Sequence, residues 1–180
     1  MNEDAQYDQI IAKIRLKSEV TLTLVCLDEF VSNFFIPNNN VNLPQLFNKL
    51  PNEVSKLLIE MFLKDPVTPE NKLLYKSKAE ALAEKLRNCN VVQMTLAFQP
   101  DETAISVFSD WIKKNVSVDT IIDLQFDQSI VGGVQIVAGG LYKDYSVRKN
   151  LAGRFQIQRE EIMAMLKWKH FNITSKQLKK

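Results

Sequence analysis

The spacing of apolar residues changes near residue 90, and that change restricts the fold more than any other feature of this chain. Up to about Arg87 the period is helical. Tyr7, Ile10, Ile11 and Ile14 fall at i, i+3, i+4 and i+7, on one face of a helix. Val20, Leu24, Leu27, Val31 and Phe34 mark a longer helix, and Phe35, Ile36 and Pro37 lead from it into the loop Asn38-Asn39-Asn40. Leu43 to Lys49 suits a short helix. Val54, Leu57, Leu58 and Met61 suit another, opened by Pro51 in its first turn. A further helix has Thr68 as its cap, Pro69 at its first position and Glu70 near the positive end of its dipole. It buries Tyr75, Ala79, Leu82 and Leu86.

Beyond Asn88 the period is two. Val92, Met94, Leu96 and Phe98 alternate with Gln93, Thr95 and Ala97, the pattern of a half-buried strand. Pro100, Asp101 and Glu102 open a helix in which Ala104, Val107, Phe108 and Trp111 share a face, with the core as their expected surroundings. Ile122, Leu124 and Phe126 give a second strand; Val134, Ile136 and Ala138 give a third. Gly139-Gly140 is a hairpin turn, and Leu141 to Tyr145 is the returning strand. Asp144 or Ser146 caps a last helix, which Gly153 interrupts. The predicted class is α+β: a helical bundle over residues 1–88, then a small β-α-β-β-β-α domain over residues 89–180.

Composition narrows the function. Of 180 residues, 46% are hydrophobic and 24% charged, as in a soluble globular protein. The net charge of +2 gives no support for nucleic acid as a partner. The longest apolar stretch, Leu22 to Ile36, carries Asp28 and Glu29 and falls short of the roughly 20 apolar residues of a membrane span. The acidic, polar start resembles neither a secretory signal nor a transit peptide. Cys26 and Cys89 stand apart, outside any metal-ligand spacing, and read as free buried thiols in a reducing compartment. His170, the single histidine, lies in a basic tail without a clear acidic partner, which suits a surface residue. No phosphate-binding loop, metal set or nucleophile elbow is present, so no catalytic residue, cofactor or metal is expected.

The most specific run is Asp127-Gln128-Ser129-Ile130-Val131-Gly132-Gly133-Val134-Gln135-Ile136, followed by Asp144-Tyr145-Ser146-Val147-Arg148 and Leu151. Gly132 and Gly133 precede a strand, where glycine serves a bulge or the close approach of another backbone. Asp127 and Asp144 sit at turn or helix-start positions, where Asp caps backbone N–H groups.

This run resembles the delta subunit of bacterial ATP synthases, the counterpart of the oligomycin-sensitivity-conferring protein. Asp127, Ser129, Gly132, Gly133, Val134 and Ile136 match the family's first block; Asp144, Ser146, Val147, Arg148 and Leu151 match its second. Gln128 replaces a proline. Tyr145 replaces a glycine, so a positive φ there would be strained. The resemblance implies a non-catalytic stator subunit of the peripheral stalk. Its helical bundle would bind the N-terminal segments of the alpha subunits, and its α/β domain the C-terminal helices of the b subunits. It also implies a location on the cytoplasmic face of the bacterial inner membrane, held there only through the complex. Two alternatives stay open: a generic α/β protein-interaction adaptor, and a nucleic-acid-binding domain that uses the sheet and basic tail. The basic tail from Lys167 to Lys180, made partly amphipathic by Ile162, Met165, Leu166 and Trp168, is either a solvated helix end or a docking surface for an acidic helix or anionic headgroups.

Overall fold

The computed structural model describes residues 3–33, 43–62, 68 and 70–177, with side chains left undescribed at 3, 43–44 and 167–177. Among the described residues the chain forms five helices, then a mixed four-stranded sheet with two more, in the expected α+β class. The helices of the first half are α1 (Glu3–Lys13), α2 (Lys17–Asn33), α3 (Leu43–Phe47), α4 (Asn52–Phe62) and α5 (Lys72–Arg87). The second half runs β1 (Asn90–Leu96), α6 (Glu102–Asn115), β2 (Thr120–Phe126), a short 3₁₀ turn (Gln128–Ile130), β3 (Val134–Ala138), β4 (Leu141–Asp144) and α7 (Val147–Gln177).

The helical core is built around an aromatic cluster. Phe30 lies 5.7 Å from Phe47 and 5.0 Å from Phe62 between ring centroids, and Tyr75 joins Phe62 at 6.4 Å. The tilted pairs suit the ring quadrupoles. In α2 the buried positions are Val20, Thr23, Cys26, Leu27 and Phe30. Leu24 and Val31, expected in the core, are only partly buried and pack on its edge. The helix is rotated by about one residue from the expected face. Thr23 tolerates burial because its hydroxyl donates to the Glu19 carbonyl at 2.7 Å.

In α4, Ser55 and Phe62 join Val54 and Leu58 inside. Pro51 sits just before that helix, its carbonyl accepting from the Ser55 N–H at 2.9 Å. The helix α5 starts later than expected. Thr68 lies in a preceding turn, where its N–H donates to the Asn71 side chain at 2.7 Å, and Asn71 holds the cap position. The expected buried stripe of Tyr75, Ala79, Leu82 and Leu86 is observed. The expectations for Phe34 to Asn40, for Pro69 and for Leu178 to Lys180 lie outside the described residues.

The sheet order is β2-β1-β3-β4. β1 and β2 are parallel and joined through α6, whereas β1–β3 and β3–β4 are antiparallel. Val92, Met94, Leu96 and Ile122 point to α6 and meet Ile112. Ile121 and Cys89 belong to the core of the helical half. The first strand ends at Leu96, so Phe98 lies beyond it and is exposed. Cys26 and Cys89 are both free and buried, and burial pushes both thiols up in pKa.

Candidate functional site

The glycine-bearing run and the start of α7 form one joint at the end of the sheet. Asp127 caps the 3₁₀ turn: the Ser129 N–H donates to its Oδ1 at 2.8 Å and the Ser129 hydroxyl to its Oδ2 at 2.9 Å. Ile130 is the buried plug of this turn. Val131 follows with φ 68°. The Gly132 N–H donates across it to the Ile130 carbonyl at 2.8 Å, which closes a tight, strained three-residue turn.

Gly132 then accepts from the Val147 N–H at 2.8 Å. Gly133 has φ +86°, and a Cβ on it would lie 2.4 Å from the Tyr145 carbonyl oxygen. Of the two uses open to this glycine pair, close backbone approach is the one observed at Gly133. Tyr145 avoids the strain that a positive φ would bring; among the described residues the non-glycine with positive φ is Val131.

Asp144 organises the other strand of the joint. It accepts from the Ser146 N–H at 2.8 Å and from the Tyr142 hydroxyl at 3.2 Å. Ser146, buried, accepts from the Lys149 N–H at 3.3 Å and thereby caps α7. Both carboxyls are held below the ordinary range. For Asp127 the main cause is the backbone N–H of Ser129; for Asp144 it is the Ser146 hydroxyl, followed by the Ser146 N–H. The structure therefore brings Asp127, Ser129, Gly132, Gly133, Asp144, Ser146 and Val147 together as a backbone clamp. Val134 and Ile136 lie in β3, while Arg148 and Leu151 stand exposed on α7.

The helix held by this clamp is unpartnered over its described face. α7 runs through Gly153 without a break, and its side chains from Val147 to Leu166 are all exposed. These include Leu151, Phe155, Ile157, Ile162, Met165 and Leu166. The side chains of His170 and of the basic tail lie outside the described residues.

Beside α6 the same sheet is only half covered. A groove of about 480 Å³ opens between Trp111, Ile112 and Val116 at the C-terminal end of α6, Val92 of β1, Ile136 and Ala138 of β3, and Leu141, Lys143 and Tyr145. Sheet faces are ordinarily covered by a helix. Trp111 and Val107, expected in the core, are each 60% exposed, whereas Ile105, Ser109 and Ile112 turn inward. The signal for this was present: Ile105 and Ile112 are seven residues apart, a helical alternative to the Val107–Trp111 stripe.

A second cavity of about 390 Å³ lies between α1, α4 and α6. Of the charged residues that line it, Lys13 pairs with Glu53 at 2.7 Å, and Arg15 pairs with the neighbouring Glu19 at 3.1 Å. Among the described residues, no three His, Cys, Asp or Glu side chains gather where an ion could bind, and no helix is long and apolar enough to cross a membrane.

Residues 75–154 match the family model of the ATP synthase delta (OSCP) subunit. The match covers less than half of the chain, and it shows that this stretch is similar to the ATP synthase delta (OSCP) subunit family. The match runs from within α5, through the whole sheet and α6, to the first turns of α7. It takes in both blocks of the clamp and the groove beside Trp111, while the exposed apolar residues of α7 from Phe155 onward lie beyond it. Among curated proteins, none matches the chain.

Proposed function

We propose that the chain is a non-catalytic stator subunit in the peripheral stalk of a rotary, proton-translocating ATP synthase. Residues 1–88 act as the part that meets the N-terminal segments of the alpha subunits. Residues 89–180 act as the part that grips the C-terminal helices of the b subunits. The assembly makes ATP; this subunit keeps the catalytic head from turning with the rotor. Such a role requires slow dissociation from two partners and no reacting group. Attachment to the cytoplasmic face of a bacterial inner membrane would then be indirect, through the complex.

The observation that carries this reading is the apolar groove within the family-matched segment. Its apolar floor and the rim charge of Lys143 suit an amphipathic helix with acidic flanks, laid in as a helix-in-groove contact. The exposed apolar residues of α7 extend the available surface. Titration calorimetry with a soluble b-subunit fragment tests it. Trp111→Ala and Leu141→Asp should each weaken binding at least about tenfold, as expected for an aromatic anchor and for a charge placed in its pocket. Far-ultraviolet circular dichroism should stay unchanged, because both side chains are exposed. Unaltered affinity in both variants would move the stalk contact off this groove. Absence of binding by the parent chain would favour an adaptor with other partners.

A further inference from the structure

The apolar residues of α7 are not scattered over its surface. Leu151, Phe155, Gln158, Ile162 and Met165 follow one another at spacings of four, three, four and three. That is the heptad spacing of a two-stranded coiled coil, and it aligns these positions as one seam along the helix. The four apolar members are exposed, Phe155 at 65% and Met165 at 63%. A continuous apolar seam left in water marks a contact surface. Leu151 falls within residues 75–154, whereas the other four members extend beyond the family match.

The charges beside the seam select what can lie on it, because flanking residues set the partner and its direction. Arg154 and Glu161 flank one side, a heptad apart, and Arg159 flanks the other. A uniformly acidic helix or an anionic surface would meet Glu161 with like charge. A second copy laid parallel would set its Arg159 against Arg154, and symmetry would repeat the clash. A second copy laid antiparallel removes it. With Leu151 against the second copy's Ile162, and Phe155 against its Gln158, Arg154 meets its Glu161 and Arg159 meets the neutral Ala152. The two-fold axis makes each of these contacts twice. Sliding that pair by one heptad would oppose Glu161 to Glu161 and Arg159 to Arg159. Gln158 adds to the choice, since a polar residue within a seam penalises other registers.

We infer that α7 of the free chain pairs antiparallel with α7 of a second copy, in the register that joins Arg154 to Glu161 on both sides. The seam is short against what a permanent interface buries, so the dimer is weak and reversible. This pairing does not rest on the stator reading. Where both hold, self-pairing and engagement of α7 by a stalk helix exclude each other.

Sedimentation equilibrium on the full chain, without any partner, tests it. The parent should show a monomer–dimer equilibrium at high micromolar concentrations. Arg154→Glu sets like charges together at two sites and should weaken the dimer at least about fivefold. Glu161→Arg should do the same. The combined exchange Arg154→Glu/Glu161→Arg should restore the parent affinity, because it re-forms both pairs in this register. The two side chains are exposed, so helix content should not change. A parent chain that stays monomeric at those concentrations would overturn the pairing. A combined variant as weak as the single ones would overturn the register. A monomeric parent that instead binds a designed acidic heptad peptide would overturn the second copy as the occupant and assign the seam to a foreign helix.

Discussion

Val131 and Gly133 stand two residues apart, and both have positive φ, yet only one of them is suited to it. A β-branched residue at φ 68° is strained, and its side chain is largely exposed, so burial offers little compensation. Gly133 is required twice over, by its φ of +86° and by the Tyr145 carbonyl that occupies the Cβ position. Gly140 also has positive φ, at +78°, but faces open space. Substitution by alanine should separate the two effects. Gly140→Ala should cost about 1 kcal/mol, the conformational penalty alone. Gly133→Ala should cost clearly more, roughly 2–4 kcal/mol, because backbone must also move. Urea unfolding of both variants measures the difference, and equal losses would remove the close-approach role of Gly133. The glycine pair was legible in the sequence as a backbone device. The strain at Val131 was not, because φ is decided by the hydrogen bond that closes the turn around it.

At the scale of elements, the clamp ties a loop, a hairpin and a helix through two carboxylates. Asp127 and Asp144 accept hydrogen bonds that favour their ionised forms. A carboxyl whose folded pKa is depressed contributes stability above its unfolded pKa, near pH 4, and loses that contribution as pH falls through the folded value. The carboxyl carbons of both residues, followed by NMR, should therefore titrate with midpoints below that of an unstructured Asp. The Ser129 and Ser146 amide resonances should move with them. A midpoint at or above the unstructured value at Asp144 would mean that its carboxylate does not hold the start of α7. Asp at turn starts announces this role directly. The orientation of α6 is a different case. Its apolar residues offer two overlapping stripes, Val107–Trp111 and Ile105–Ile112, and local periodicity weighs them about equally. The sheet resolves the choice, since Ile112 meets Val92, Met94 and Ile122 in a closed core while Trp111 reaches the rim of the groove.

For the whole molecule, the contrast that matters is between apolar residues that hold the fold and apolar residues left for a partner. Phe62 is fully buried at the centre of the aromatic cluster. Phe62→Ala should destabilise the chain by about 3–5 kcal/mol. Trp111→Ala, at an exposed position, should cost less than about 1 kcal/mol. Thermal unfolding would compare them, and a large loss at Trp111 would show that the groove wall is part of the core.

By itself the sequence determined the α+β class, the β-α-β-β-β-α order, the α5 stripe and the family likeness carried by Asp127 to Leu151. Each of these rests on local periodicity, on turn chemistry or on residue types at short spacing. Only the tertiary structure decided which face of α2 and α6 is buried, where the strained φ lies, and that Leu16 and Ile121 each pack into the other half's core. Those outcomes depend on contacts between residues far apart in the chain, such as Lys113 with the end of α1 and Arg15 with Ser106, and no local pattern encodes which distant surface a side chain will meet.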